Sequence, residues 1–251
     1  MSINGGMATV QSYRQIGANW QPRLMTTGQL ALRQIFQTIN AESCPTTYNF
    51  HLHSTCSDGQ LRPAQIIEQA INIGLKGLTI TDHHSVSGYY QAQATLDKWL
   101  WEHSPTIDQP VVVPKLWTGV EITANLLDVD VHILGYGFIP EHNDLQIYLQ
   151  GHSVQRGMAY EASNVIKGIQ RAGGLAVLAH PCRYRRPAED LIPAAVRLGI
   201  DGVETYYNYK RTQPWVASLE QTTLVKELSD HYDLLNTCGT DTHGSNILVR
   251  L

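Results

Sequence analysis

The sequence predicts an α/β fold in which a mainly parallel sheet of seven strands curls into a barrel. Three observations lead there. Short apolar runs alternate with helical patterns along most of the 251 residues, which is how β/α units of a parallel sheet read. Side chains able to bind metal recur at the ends of those runs: His51, His53, Asp58, His83, Glu121, His132, His180, Asp241 and His243. Finally, an i, i+2 pair occurs near each end of that array, as His51-Leu52-His53 and Asp241-Thr242-His243. Alternation puts both members of such a pair on one face of a strand, and ligands drawn from both ends of a chain meet on a curved or closed scaffold. In such barrels the chemistry sits at the C-terminal ends of the strands.

The elements follow in order. Residues 1–47 read as an N-terminal extension, polar at first and then helical through Leu30, Leu32, Ile35, Phe36 and Ile39, a helix suited to capping the bottom of the fold. The domain proper is expected over 48–251. Its first strand carries His51 and His53. A helix then begins near Pro63, buries Ile66, Ile67, Ala70 and Ile71, and stops at Gly74. Strand two, residues 77–81, delivers Asp82 and His83, and a helix over 89–101 leads to strand three, 116–121, ending in Glu121. Strand four, 131–136, contains His132 and can pair antiparallel with strand three or lie beside it. A helix over 154–172 ends at Gly173-Gly174, and strands five, six and seven fall at 175–179, 202–206 and 234–238. The alternative, an open doubly wound sheet, would spread the ligands along an edge, and no glycine-rich phosphate loop supports it.

Composition narrows the function classes. With 43% hydrophobic residues the chain can bury a large single core. No run of about eighteen apolar residues occurs, and the first residues lack the basic and apolar regions of a secretory signal, so a cytoplasmic protein is expected and no membrane partner. Cys44, Cys56, Cys182 and Cys238 form no CxxC and read as reduced thiols. A formal charge of −4 and the lack of a large Lys/Arg cluster argue against long nucleic acid as a partner and leave small phosphorylated molecules open.

The segments HLHSTCSDG (51–59), TDHHSVSG (81–88), GVE (119–121), HILG (132–135), AHP (179–181) and GTDTHG (239–244) together resemble the PHP family, named for its polymerase and histidinol phosphatase members. The resemblance runs from about residue 48 onward. It implies a distorted seven-stranded (β/α)7 barrel, a cluster of two or three manganese, iron or zinc ions, and phosphoester hydrolysis. Carried over, it gives His51, His53, Glu121 and Asp241 to one ion. Glu121 bridges to a second ion held also by His132 and His180, and Asp58, His83 and His243 hold a third. Imidazole and carboxylate suit such metals. Only about forty residues separate His132 from the end of the 154–172 helix, which leaves no room for a large lid insertion.

Other candidates rank lower. Arg183, in the loop after strand five, is either a phosphate clamp or a surface arginine of the stretch Arg183-Tyr184-Arg185-Arg186, and Glu204 is either a strand-end acid or a partner behind the ligands. His103, His142, His152 and His231 lie in helix-end or loop contexts and are left out, as is His84. Cys56 and Cys182 sit in motif loops where the N/O ligand set already suffices. The expected function is therefore hydrolysis of a small phosphorylated substrate, a phosphomonoester or nucleotide, by a metal-activated hydroxide, with Glu121, Asp241 and Arg183 as catalytic residues. A metal-dependent amidohydrolase and a non-catalytic, metal-stabilised regulatory module are the alternatives. Ser-His-Asp catalysis is disfavoured, since no GxSxG elbow occurs.

Overall fold

The computed structural model describes residues 27–103, 112–153 and 157–251. The polar opening segment and the first residues of the helix expected over 154–172 lie outside the described residues.

Among the described residues eight strands form two sheets. β1 (Tyr48–Asn49), β2 (Gly77–Thr79) and β3 (Lys115–Trp117) pair in parallel in that order. β4 (Gly119–Leu126), β5 (Val129–Tyr136), β6 (Leu175–Leu178), β7 (Gly202–Tyr206) and β8 (Leu235–Cys238) form the second sheet, antiparallel as far as β6 and parallel beyond it. The ladders are unclosed, so one continuous seven-stranded barrel is not what they show. The physical reason lies in two places. The run expected as strand three breaks at Thr118 into β3 and β4, and β1 and β2 are too short to carry a ladder across the margins. Single contacts cross there instead: bridges join Leu52 to Thr242 and His83 to Glu121, the Asp241 N–H donates to the His51 carbonyl at 2.8 Å, and the His84 N–H donates to the Glu121 carbonyl at 3.0 Å.

The sequence left the pairing of the Glu121 and His132 strands open. They form a hairpin closed by Leu127-Asp128, both left-handed (φ 54° and 62°), the backbone a two-residue turn needs to match the twist of its strands.

The helices are α1 (Thr27–Phe36), α2 (Pro63–Ile73), α3 (Ser87–His103), the short α4 (Asn143–Gln146), α5 (Ala162–Arg171), α6 (Ala188–Arg197) and α7 (Leu219–His231). α2 starts on Pro63, which needs no N–H there, and ends on Gly74 at φ 79°, whose N–H returns to Ala70. α5 is shorter than expected: a 3-10 turn, Met158–Tyr160, precedes it, and the extended residue Glu161 marks its start. Among the described residues no helix is long and apolar enough to cross a membrane.

Strand alternation sorts the second sheet into two faces. Val120, Ile122, Val131, Ile133, Ala176, Leu178 and Val203 point outward into a core shared with α5 and α6. Leu134, Tyr136, Leu175, Val177 and Tyr206 point the other way, into a plug with Trp117 and with Leu32 and Phe36 of α1. α1 is fastened at the starts of the strands. Gln29 Nε2 donates to the Gly174 carbonyl at 3.0 Å just before β6, and Arg33 pairs with Asp201 at 3.0 Å just before β7. By the same alternation Glu121, His132 and Glu204 share the plug-facing side of the sheet, further along it.

Candidate metal centre

His51 and His53 follow β1 in an extended segment and are fully buried. The chain leaving β8 passes so close to the first of them that a Cβ on Gly239 would lie 2.1 Å from the His51 Cβ, which makes glycine obligatory there. Asp241 and His243 then face His51 and His53 across the margin between the sheets. Glu121 comes from β4, His132 from β5, His180 from the end of β6, His83 from the end of β2, and Asp58 from the loop after His53. His180 (φ 25°) and Asp241 (φ 53°) hold left-handed backbone, a conformation that costs energy for such residues and gathers at functional sites.

Glu121 is the centre of the cluster. Its Oε2 lies 3.1 Å from both His51 Nε2 and His53 Nε2 and 3.7 Å from His83 Nδ1, while its Oε1 lies 2.7 Å from His132 Nδ1 and 3.3 Å from His180 Nε2. One carboxylate thus faces two separate sets of nitrogens. Asp241 divides its oxygens differently. Oδ1 faces His53 Nε2 at 3.2 Å, His51 Nε2 at 3.4 Å and His243 Nδ1 at 3.5 Å. Oδ2 accepts from Tyr207 Oη at 2.6 Å and from Arg183 Nη1 and Arg250 Nε, each at 2.8 Å. Asp58 closes the outer side, 3.1 Å from His243 Nε2, 3.5 Å from His53 Nδ1 and 3.7 Å from His83 Nε2.

Three groups of potential ligand atoms converge: His51, His53, Glu121 and Asp241; His53, Asp58, His83 and His243; and His83, Glu121 and His132. The residues that the sequence nominated are brought together, with one shift of emphasis. His83 approaches the second set as well as the third, and His180 stands just outside the mutually close groups while still reaching Glu121 Oε1.

The electrostatics suit cations. Burial disfavours charge on Glu121 and Asp241, but the imidazoles of His132 and His51, and of His51 and His53, outweigh it and hold both carboxyls well below the usual carboxylate range. Burial likewise opposes a proton on His53, yet the Asp241 and Glu121 carboxylates raise it to about 9. His51 is raised well above its ordinary value against burial by Glu204, Glu121 and Asp241. His83 is pushed down to about 4, chiefly by burial. Both ring nitrogens of His53 and of His180 are buried with no aligned hydrogen-bond partner, although carboxylate oxygens lie within 3.1–3.3 Å of one nitrogen of each ring. Buried polar atoms left unpaired are costly. A set of lone pairs pointing at a shared space, all nitrogen and oxygen, fits divalent first-row cations such as manganese, iron or zinc.

Support behind the ligands comes from residues that the sequence revealed only in part. Glu204, fully buried, has Oε1 2.9 Å from His51 Nδ1 and takes the His180 N–H on Oε2 at 2.9 Å. A proton on Nδ1 donated to Glu204 leaves the His51 Nε2 lone pair for a cation. His243 is oriented the same way, its Nδ1 2.8 Å from the Asp241 carbonyl oxygen. Tyr184 Oη accepts the His132 N–H at 2.8 Å. Tyr184, Tyr207 and Arg250 carry no motif signal, and only folding brings them here.

The remaining histidines lie apart. His84 is buried and accepts the Thr123 N–H at 3.2 Å; His142 caps α4; His103 stacks on Trp99; His152 and His231 are exposed. Burial chiefly pushes the Cys56 and Cys182 thiols up, and neither joins a ligand group.

The PHP domain profile matches residues 49–240. Among curated proteins, a 5'-3' exoribonuclease of Haemophilus influenzae is 30% identical over 109 residues, covering 43% of this chain and 35% of the relative. A 5'-3' exoribonuclease of Salmonella typhimurium is 26% identical over 109 residues, 43% of this chain and 33% of the relative. The match spans about a third of the length of these relatives. Among solved structures, a protein of Bifidobacterium adolescentis, provisionally described as a metal-dependent phosphoesterase, aligns with TM-score 0.60 at 22% identity over 80% of this chain and 89% of its own. An amidohydrolase of Chromobacterium violaceum with bound sulfate aligns with TM-score 0.66 at 18% identity over 82% and 90%. These structural likenesses speak for the fold alone. The curated relatives correct one expectation: their names specify RNA, so the argument against long nucleic acid fails. Net charge averages over the whole surface, whereas a site that takes the end of a strand needs positive charge only locally.

Proposed function

This chain belongs to the PHP family, and on that premise we propose that it is a metal-dependent hydrolase that cleaves phosphoester bonds at the 5' end of a nucleic acid strand, with RNA as the first substrate to test. The observation that carries the hydrolase reading is the Glu121 carboxylate, whose two oxygens face two different sets of imidazoles. RNA rests on the names of the curated relatives.

In this reading His51, His53, Glu121 and Asp241 hold one cation. Glu121, His132 and His180 hold a second, with His83 close by, and Asp58, His83 and His243 hold a third. The chemistry such cations supply is acidification of a water molecule and neutralisation of phosphate oxygens as charge builds on them. The chain's own residues do the rest. Asp241 and Glu121 stay ionised through the physiological range and so suit binding rather than proton donation. Glu204 fixes the His51 ring, and Tyr207 and Arg250 fix Asp241. Arg183, 34% exposed beside Asp241, is positioned to hold a phosphate by charge-assisted hydrogen bonds. Residues 48–251 form the hydrolase domain, with the helix of the 1–47 extension as its cap.

The test is to load the protein with manganese, count ions per chain, and offer 5'-phosphorylated single-stranded RNA, a mononucleotide, a non-nucleotide phosphomonoester and an amide. Metal-dependent release of mononucleotides from the 5' end is expected. Cleavage of the mononucleotide or phosphomonoester alone would restore a small-substrate reading, and amide cleavage alone an amidohydrolase. A fully loaded but inert protein would point to a binding module.

A further inference from the structure

The three ligand groups are not equally secured. Glu121 and Asp241 are buried carboxylates held from several sides, whereas the Asp58 side chain is 53% exposed and sits on a loop. Burial therefore cannot fix Asp58, and something else must hold its loop.

Asp82, fully buried immediately before His83, does so. Its Oδ1 accepts the Ser54 N–H at 2.7 Å and the Ser57 hydroxyl at 2.7 Å, and its Oδ2 accepts the Ser54 hydroxyl at 2.7 Å. Ser54 passes the constraint on, because its Oγ takes the Cys56 N–H at 3.1 Å and its carbonyl takes the N–H groups of Ser57 and Gly59 at 3.1 and 3.0 Å. The loop from 54 to 59 is thus wound around one carboxylate. Three donors converge on Asp82, and among the described residues no lysine or arginine pairs with it. A carboxylate buried at that cost with only neutral donors is a fastening for those donors. The space is tight as well: a Cβ on Gly88 would lie 2.0 Å from Asp82 Oδ2 and 2.9 Å from Ser54 Oγ.

We propose that Asp82 is a positioning residue for the third cation, clamping through Ser54 and Ser57 the loop that presents Asp58, and fixing by adjacency the backbone that presents His83. This rests on the three-cation reading above. An asparagine would fill the same volume, but with its amide oxygen kept on the Ser54 N–H and the Ser57 hydroxyl its NH2 group would replace the oxygen that accepts the Ser54 hydroxyl, so the clamp would loosen at Ser54 while the buried first group stays intact.

The experiment uses the full chain, stripped by chelation and reloaded with manganese, with ions per chain and their individual affinities measured by equilibrium dialysis and elemental analysis. Wild type should take three ions. Asp82→Asn should keep two at wild-type affinity and bind the third about ten- to hundredfold more weakly, the range for residues that orient ligands. Ser57→Ala should show the same selective loss to a smaller degree, and it keeps the test alive if Asp82→Asn does not fold. Three ions at wild-type affinity in both variants, or a parallel loss of all three, would overturn the clamp while leaving the hydrolase reading standing. A wild type that saturates at two ions would remove the third cation from that reading and the clamp with it, and active two-ion protein would show that the hydrolase assignment survives.

Discussion

The interior side of the large sheet is apolar toward one end and ionic toward the other. Along β5 the residues on this side run His132, Leu134, Tyr136, so a single strand passes from the metal centre into the plug. At the plug, Phe36 meets Phe50 edge-on at 4.9 Å and Tyr136 at 5.4 Å, and the Tyr136 hydroxyl is satisfied by the Phe50 carbonyl at 2.9 Å. At the other end imidazoles and carboxylates crowd together, and His84, His180 and Asp241 take left-handed backbone. The difference teaches a division of labour: the plug supplies the cohesion that keeps a crowded, strained cluster of buried ionisable groups in place.

The sharpest way to break this comparison is to damage the plug alone. Phe36→Ala removes a fully buried ring from the helix that caps the strand starts. It should cost about 3–5 kcal/mol of stability, read by urea unfolding, while the molecules that remain folded keep their wild-type metal count. Loss of metal in the folded fraction would show that the two ends are not separable. The mirror experiment is Glu121→Gln. Residues that merely orient ligands already cost ten- to hundredfold when changed, so replacing the shared carboxylate should lower activity by at least about a hundredfold and reduce bound metal. His103→Ala and His231→Ala, both exposed, should stay within about a factor of two. Equal, negligible effects at all three positions would mean that the centre lies elsewhere.

How much of this was legible in the sequence follows from the same division. The convergence of the candidate ligands was foreshadowed because most sit at or just past strand ends, where local alternation and the shape of the motif fix which way they point, while Glu121 and His132 lie within β4 and β5 and Asp58 on a loop; for His51 and His53 period two sufficed. The split at Thr118, the left-handed turn at Leu127-Asp128 and the open margins were not readable, because they depend on how strands curve against one another. The supporting residues were hidden for a related reason. Arg250 and Tyr207 lie in loops with no periodicity, and their pairing with Asp241 is set by long-range folding. Glu204 was visible as a strand-end acid, but its position behind His51 required the register of β7.

A smaller effect tests the ionic end on its own. In metal-free protein the His53 value is raised to about 9 against burial by Asp241 and Glu121. A raised histidine stabilises the fold fully below its unfolded value of about 6.5 and loses that contribution as pH climbs through about 9. His83, lowered to about 4 chiefly by burial, acts in the opposite direction and in another window: its contribution is present above about 6.5 and lost as pH falls toward 4. Metal-free protein should therefore have its highest melting temperature near pH 6.5. Manganese should abolish the decline on the alkaline side, because bound imidazoles are already unprotonated. An identical alkaline decline with and without manganese would exclude His53 from metal binding.

The smallest effect concerns Arg183, where the two readings of the sequence, clamp or surface residue, can now be separated. Its Nη1 donates to Asp241 Oδ2 at 2.8 Å and to Tyr207 Oη at 3.1 Å, so it is tied to the centre, while no hydrogen bond from another described residue occupies Nε or Nη2, which are left for a phosphate oxygen. Asp241 does not depend on it, since Tyr207 and Arg250 still hold the same oxygen after Arg183→Ala. Metal content should accordingly be unchanged. One lost charge-assisted contact costs on the order of 1.5 kcal/mol at the low end, which is about a tenfold fall in kcat/KM toward phosphorylated RNA. The comparison to make is with Arg250→Ala, which removes the same pairing from Asp241 but comes from a different loop. If both variants lose metal equally and neither changes KM, the two guanidinium groups serve only to hold Asp241. If Arg183→Ala alone raises KM at constant metal content, the guanidinium beside the centre is where the substrate phosphate rests.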